Sequence, residues 1–164
     1  MPAREAPAAS FAELYRESVG DLYAYVATLL QDRSAAEDVV AQAFERAFRK
    51  RRSFDRQRGS ERAWLFGIAR NAALDELRRR KRTTALVAEP GEVASADDPD
   101  LLVRRVTVRD ALNRMEPRDR ELIALKFHGG LNNGEIAKLL GTSESNVGTK
   151  LHRAVTKLRE ACDA

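Results

Sequence analysis

The feature that most constrains this chain is an interruption. The stretch "TTALVAEPGEVASADDPD", residues 83–100, holds two prolines, one glycine, several small residues and five acidic groups without a single basic one. A segment of that composition has little apolar surface to bury, and it predicts a flexible acidic linker. The 164-residue chain is thereby divided into two pieces, 10–82 and 101–162, each large enough for only a modest core. Both pieces repeat apolar residues at helical spacing, and neither shows the alternation of a half-buried strand. The expected fold class is all-α: two small helical domains joined by the acidic linker.

Within the first piece, Ser10 and Glu13 match a capping box, and Phe11, Leu14, Leu22, Val26, Leu29 and Leu30 follow at helical intervals. Ser34 and Glu37 repeat the capping pattern ahead of a second helix. Its Ala36, Val40, Ala43, Phe44 and Ala47 make one apolar stripe for the core. Asp38, Gln42, Glu45 and Arg49 lie opposite, as a solvated face or as a docking surface for another protein. "KRRSFDRQRGS", 50–60, reads as a basic loop. Ser60 is then a candidate cap for a third helix, with Trp64, Leu65, Ile68, Ala72 and Leu77 on its apolar side. That helix ends in five consecutive cations, Arg78 to Arg82. The helix dipole favours cations at a C-terminus, but like charges one turn apart repel, so five of them call for a further partner.

In the second piece a helix near 101–115 is closed by Glu116–Pro117, and another runs from Pro117 to about Phe127, stopping at Gly129–Gly130. Ile136, Leu139 and Leu140 give a short helix, "GTS" at 141–143 a tight turn, and Ser143 a cap for a longer helix from Glu144. On the long helix Val147, Leu151, Ala154 and Leu158 share one face, while Ser145, Asn146, Thr149, Lys150 and Arg153 share the other. A short helix, a glycine turn and a long helix with a polar, basic outer face form a helix-turn-helix pattern. Gly148 interrupts the long helix, where it could admit close approach to a phosphate.

Charge is unevenly placed. The net value is +4, yet residues 45–82 carry 14 basic and 5 acidic groups, whereas residues 1–44 carry 3 and 7. A basic block of that density is the footprint of a polyanionic partner. The longest apolar runs are too short to span a bilayer, and "MPAREAPAAS" has no apolar signal core, so a cytoplasmic protein without membrane insertion is expected. Cys162, His128 and His152 are too few and too scattered for a structural zinc site. Asp75 and Glu76, adjacent on a helix, point about 100° apart, and neither histidine lies in a catalytic motif. No enzyme activity, metal or cofactor is expected.

Four segments together carry a resemblance. "SAAEDVVAQAFERAF", "AWLFGIARNAALDELRRRKR", "LNRMEPRDRELIALKF" and "NNGEIAKLLGTSESNVGTKLHRAVTKLRE", in this order and split by an acidic linker, resemble the extracytoplasmic-function (ECF) class of bacterial sigma factor. The resemblance implies region 2 at 10–82, a linker at 83–100, and region 4 at 101–162. It implies that core RNA polymerase binds Asp38, Gln42 and Glu45, with Asp38 foremost, because Ala41 and Gln42 stand where the family often has Gln and an acid. For the promoter −10 element it implies Arg51, Arg52, Phe54, Arg56, Arg58, Arg70, Asn71, Arg78, Arg79 and Arg80, with Phe54 either stacking on an extruded base or packing in the core. For the −35 element it implies Ser143, Ser145, Asn146, Thr149, Lys150 and Arg153. With no regulatory domain expected outside 10–162, control by a separate anti-sigma factor is expected. A helix-turn-helix regulator acting apart from polymerase would resemble residues 132–161 almost as well, but it needs a receiver or ligand domain in front, and residues 10–82 lack strands for one.

Overall fold

A computed structural model describes residues 8–83 and 99–163, with side chains from Phe11 and from Thr107 onward in the two stretches. The first unit is three helices, α1 (Ala8–Leu30), α2 (Arg33–Arg49) and α3 (Glu61–Thr83), with two single 3-10 turns, Arg51–Ser53 and Arg56–Arg58, between the last two. The second holds α4 (Pro99–Arg114), α5 (Pro117–Ile123) running into a π-turn at Ala124–His128, α6 (Asn133–Leu140) and α7 (Glu144–Asp163). There is no strand among the described residues. Thr83, Pro99 and Asp100, assigned to the linker by composition, lie in helices, and its residues 84–98 fall outside the described residues.

The helix starts show which local signals won. α1 already begins at Ala8, so Ser10 is a helical residue and not its cap. α2 is capped by Asp32 instead of Ser34: Gln31 turns the chain at φ 53°, Asp32 is extended, and its carboxylate accepts from the Ala35 amide at 3.1 Å. An aspartate on extended backbone just ahead of the first helical residue is where a cap must sit, and Ser34 is already one position inside. Ser60 does cap α3, its Oγ accepting from the Ala63 amide at 3.1 Å. α6 opens with a reciprocal box: Asn132 Oδ1 accepts from the Glu135 amide at 2.8 Å, and Glu135 Oε1 accepts from the Asn132 amide at 3.1 Å. Gly141 ends α6 in the left-handed region at φ 69°, a conformation that glycine adopts without steric cost. Ser143 caps α7 through the Asn146 amide at 3.1 Å.

The α2 stripe is buried as its spacing requires, with Val39 added. α3 buries more than one stripe: Leu65, Phe66, Ala69, Ala72 and Ala73 are all buried, while Trp64, Ile68 and Leu77 are half-buried. The reason is that α3 is covered twice, by α1 and α2 and by α6 of the second unit. α1 likewise packs on α5 and the π-turn. The buried residues of both units therefore form one continuous hydrophobic cluster, where the sequence suggested two separate cores. Gly129 sits at this seam. A Cβ there would lie 2.5 Å from the Leu125 carbonyl oxygen and 3.2 Å from the Phe66 ring, so only glycine lets the π-turn close onto α3.

Gly148 has a different setting. A Cβ at this position would meet only Asn133 Nδ2, at 3.7 Å, an ordinary contact. Gly148→Ala is therefore expected to raise stability by about 0.5–1 kcal/mol, measured as a higher melting temperature. Unchanged promoter affinity in that variant would show that DNA does not need the bare backbone at this point. A loss of affinity would show that it does.

Candidate nucleic-acid and polymerase interfaces

Burial of the apolar stripe of α2 fixes what its other side presents. Asp38, Gln42 and Glu45 are all exposed on it. Glu45 is tied to Arg49 at 2.6 Å, one turn on. Asp38 and Gln42 make no hydrogen bond or ion pair among the described residues.

The basic loop between α2 and α3 is ordered by short local bonds. Ser53 Oγ donates to the Lys50 carbonyl at 2.7 Å, and Asp55 accepts from the Gln57 amide at 2.9 Å. Arg51 folds back, its guanidinium 4.0 Å from the centre of the Phe48 ring and donating to the Phe48 carbonyl at 2.8 Å. Arg52, Arg56 and Arg58 are exposed. The ion pairs of Arg56 with Glu61, at 3.7 Å, and of Arg58 with Asp55, at 3.9 Å, are long and in water, where such pairs contribute little. Phe54 packs its ring on Trp64, centroids 5.4 Å apart and tilted by 53°. Both rings are half-buried.

The five cations ending α3 divide into two groups. Arg78 pairs with Asp75 at 3.0 Å, and Arg79 grips Glu76 with two bonds of 3.0 and 2.8 Å. Both arginines lie largely in solvent, as do Lys81 and Arg82. Arg80 turns inward: it reaches Asp32 at 2.7 Å, the Leu30 carbonyl at 3.1 Å and Glu76 at 3.3 Å. The hydrogen bond from Arg79 holds the Glu76 carboxyl below its ordinary range, against a partial burial that pushes the other way. Part of the repulsion that the sequence left unexplained is thus offset within the chain. Arg80 also ties the C-terminal end of α3 to the cap of α2.

Farther up α3, Asn71 is exposed but Arg70 is not free: its Nε donates to Glu121 Oε1 of α5 at 2.5 Å. The Tyr25 hydroxyl donates to the same oxygen at 3.0 Å. Burial, together with the adjacent Glu121 carboxylate, pushes the Tyr25 hydroxyl well above its ordinary range, which keeps it a donor. Arg62, one further site on this face, bonds Asp21 at 2.6 Å and donates to the carbonyls of Gly129 and His128. Sequence reasoning missed Tyr25, Arg62 and Glu121. A charged residue inside an amphipathic pattern carries no mark of the distant partner it will meet.

On α7, Val147, Leu151 and Ala154 are buried and Ser145, Thr149, Lys150 and Arg153 are exposed. Asn146 is half-buried, its amide donating to Thr142 Oγ1 at 2.7 Å. The Ser143 hydroxyl is engaged as the cap. The outer face of the helix-turn-helix thus presents two hydroxyls and two cations at one-turn spacing.

The comparisons with known proteins agree with this arrangement. Residues 14–83 match the model of sigma-70 region 2, and residues 105–158 that of sigma-70 region 4. Over 161 residues the chain is 32% identical to the ECF RNA polymerase sigma factor SigL of Mycobacterium tuberculosis, spanning 96% of this chain and 91% of that protein. It is 30% identical to the ECF RNA polymerase sigma factor BldN of Streptomyces coelicolor, over 95% of this chain and 61% of that one. Among solved structures, the sigma factor RpoE in complex with the anti-sigma factor NepR from Bartonella quintana superposes with a TM-score of 0.79 at 25% identity, over 94% of this chain and 97% of that one. CnrH in complex with the cytosolic domain of CnrY gives 0.70 at 26% identity, over 94% and 88%. Two sigma regions in their expected order, on a helical framework shared along nearly the whole chain, define a promoter-specificity factor of transcription. The chain belongs to the ECF sigma factor family.

Proposed function

We propose that this sigma factor binds core RNA polymerase through Asp38, Gln42 and Glu45, captures the −10 element with the loop 51–60 and α3, and reads the −35 element with α7. The observation that carries the first assignment is the exposed polar face of α2, whose Asp38 and Gln42 have no partner among the described residues. Charge and shape support the others. Arg56, Arg58, Arg78, Arg79, Lys81 and Arg82 are exposed cations along one stretch of chain, suited to phosphates, which position a protein without specifying sequence. Phe54, packed against Trp64, offers an aromatic platform of the kind on which extruded bases lie. Arg80, held by Asp32 and Glu76, serves the fold before it serves DNA. The factor acts by positioning polymerase and not by catalysis, in the cytoplasm, and a separate anti-sigma protein is its expected regulator. No helix of the described residues is long and apolar enough to cross a membrane.

Run-off transcription with core polymerase and genomic promoter fragments tests this reading: specific transcripts are expected only when the factor is added. Within α7, Lys150→Ala is expected to weaken use of every promoter alike. Asn146→Ala is expected to relax preference at one position of the upstream element, a loss of about 1–3 kcal/mol of discrimination. Equal effects of both on all sequences would remove base reading from Asn146.

A further inference from the structure

The contacts between the two units fall on one face of α3, and that face carries Arg70, one of the residues assigned to the −10 element. Arg62, Phe66 and Arg70 stand four residues apart and therefore on one face. Each is met by the second unit: Arg62 by the carbonyls of Gly129 and His128, Phe66 by Gly129, and Arg70 by Glu121. The edge of this seam is closed by Ser60, which donates to Glu135 at 2.5 Å, and by Lys138, which donates to the Arg58 carbonyl at 3.4 Å. At its centre the Glu121 carboxylate is buried, and one of its oxygens receives both the Tyr25 hydroxyl and the Arg70 guanidinium. Bound through Nε to Glu121 and mostly covered, Arg70 has little of its guanidinium turned to a nucleic acid in this arrangement. The faces of α2 and α7 assigned to polymerase and the −35 element stay exposed in the same arrangement.

We propose that Glu121 is an internal latch: bound by Tyr25 and Arg70, it holds the factor in a closed, latent state that leaves polymerase docking possible and withholds Arg70 from the −10 element. The inference rests on the assignment of α3 to the −10 element. A further observation agrees with latency. A sigma factor caught with its anti-sigma factor superposes on this chain with a TM-score of 0.79 along 94% of its length, so a relative holds this arrangement in such a complex. Opening exposes the Glu121 carboxylate and Arg70 to water, and both are then free for other partners. A buried, charge-assisted bond is the kind of contact that can set such an equilibrium, because its loss is felt in the closed state only.

The test uses the full chain with Glu121→Gln and, separately, Tyr25→Phe. Gln keeps the size and one acceptor oxygen but removes the charge that Arg70 meets. Phe keeps the buried ring and removes the donor. Neither position belongs to the surfaces assigned to DNA or polymerase. Small-angle scattering of the free factor is expected to show a compact wild type and an expanded Glu121→Gln chain, with roughly a tenfold higher ratio of open to closed molecules and unchanged helicity by circular dichroism. In the same preparations, holoenzyme formation is expected to be equal, while promoter opening is several-fold faster for both variants. A wild type already extended in solution, or variants as compact as wild type, overturns the latch without polymerase being involved. Variants that expand but open promoters no faster overturn its role in withholding Arg70. A wild type that fails to bind core polymerase at all would instead count against the sigma assignment, and the scattering result would still decide closure.

Discussion

Replacing Asp38 with Arg is expected to cost about 3–5 kcal/mol in affinity for core polymerase, on the order of a hundredfold or more in the dissociation constant. The effect should be that large because the side chain is exposed and makes no bond within the described chain, so it has no structural task to lose. Reversal of its charge then acts on the partner alone: a like charge replaces an attractive one in a contact that excludes water. Val39 and Val40, its neighbours, are buried, so the helix stays anchored and circular dichroism and melting should match wild type. Titration of labelled polymerase with wild type and variant measures the loss. Normal binding by a folded Asp38→Arg chain removes this face of α2 from the polymerase interface. Glu45→Gln should have a smaller effect, because Glu45 is already occupied by Arg49.

The second large effect separates two neighbours in the basic run. Arg79 lies in solvent, and Arg80 is directed to Asp32, Glu76 and the Leu30 carbonyl. Arg79→Gln keeps helix propensity nearly constant and is expected to make the slope of log K against log salt shallower by about one unit if the residue neutralises a phosphate, at a nearly unchanged melting temperature. Arg80→Gln is expected to do the reverse: a stability loss of about 1–3 kcal/mol, with little change in the salt slope of promoter binding by holoenzyme at a temperature where the variant is folded. Equal salt effects from the two would mean that Arg80 leaves Asp32 when DNA arrives. No change from Arg79 would make the outer cations a solvated tail.

These neighbours also show where sequence reasoning ends. Helical spacing marks the buried side of α2 almost residue for residue, because one face of that helix meets one partner layer. It under-reads α3, where Phe66, Ala69 and Ala73 are buried beside the expected stripe, because a helix covered on two sides no longer has a single apolar face. The five cations are legible as a charge anomaly, but the inward turn of one of them depends on Asp32, 48 positions earlier in the chain. The same holds for Ser34 and Asp32 as rival caps: both fit the preferred residue types, and the extended backbone after Gln31 decides between them. The outer face of α7 was legible because an exposed face is defined by what does not pack. The Tyr25–Glu121–Arg70 cluster was not, because it is defined by packing between distant segments.

The tilted contact of Phe54 with Trp64 has a practical consequence. The chain contains one tryptophan, half-buried at the first turn of α3 against the only aromatic ring of the basic loop. Its emission is consequently a built-in optical reporter for that loop and needs no attached dye. A nucleotide seated on Phe54 is expected to change the polarity and quenching that the neighbouring indole senses. Engagement of the loop by a strand is therefore expected to register in real time on the unmodified factor, from a single side chain, by stopped-flow fluorescence of the free protein mixed with a single-stranded oligonucleotide.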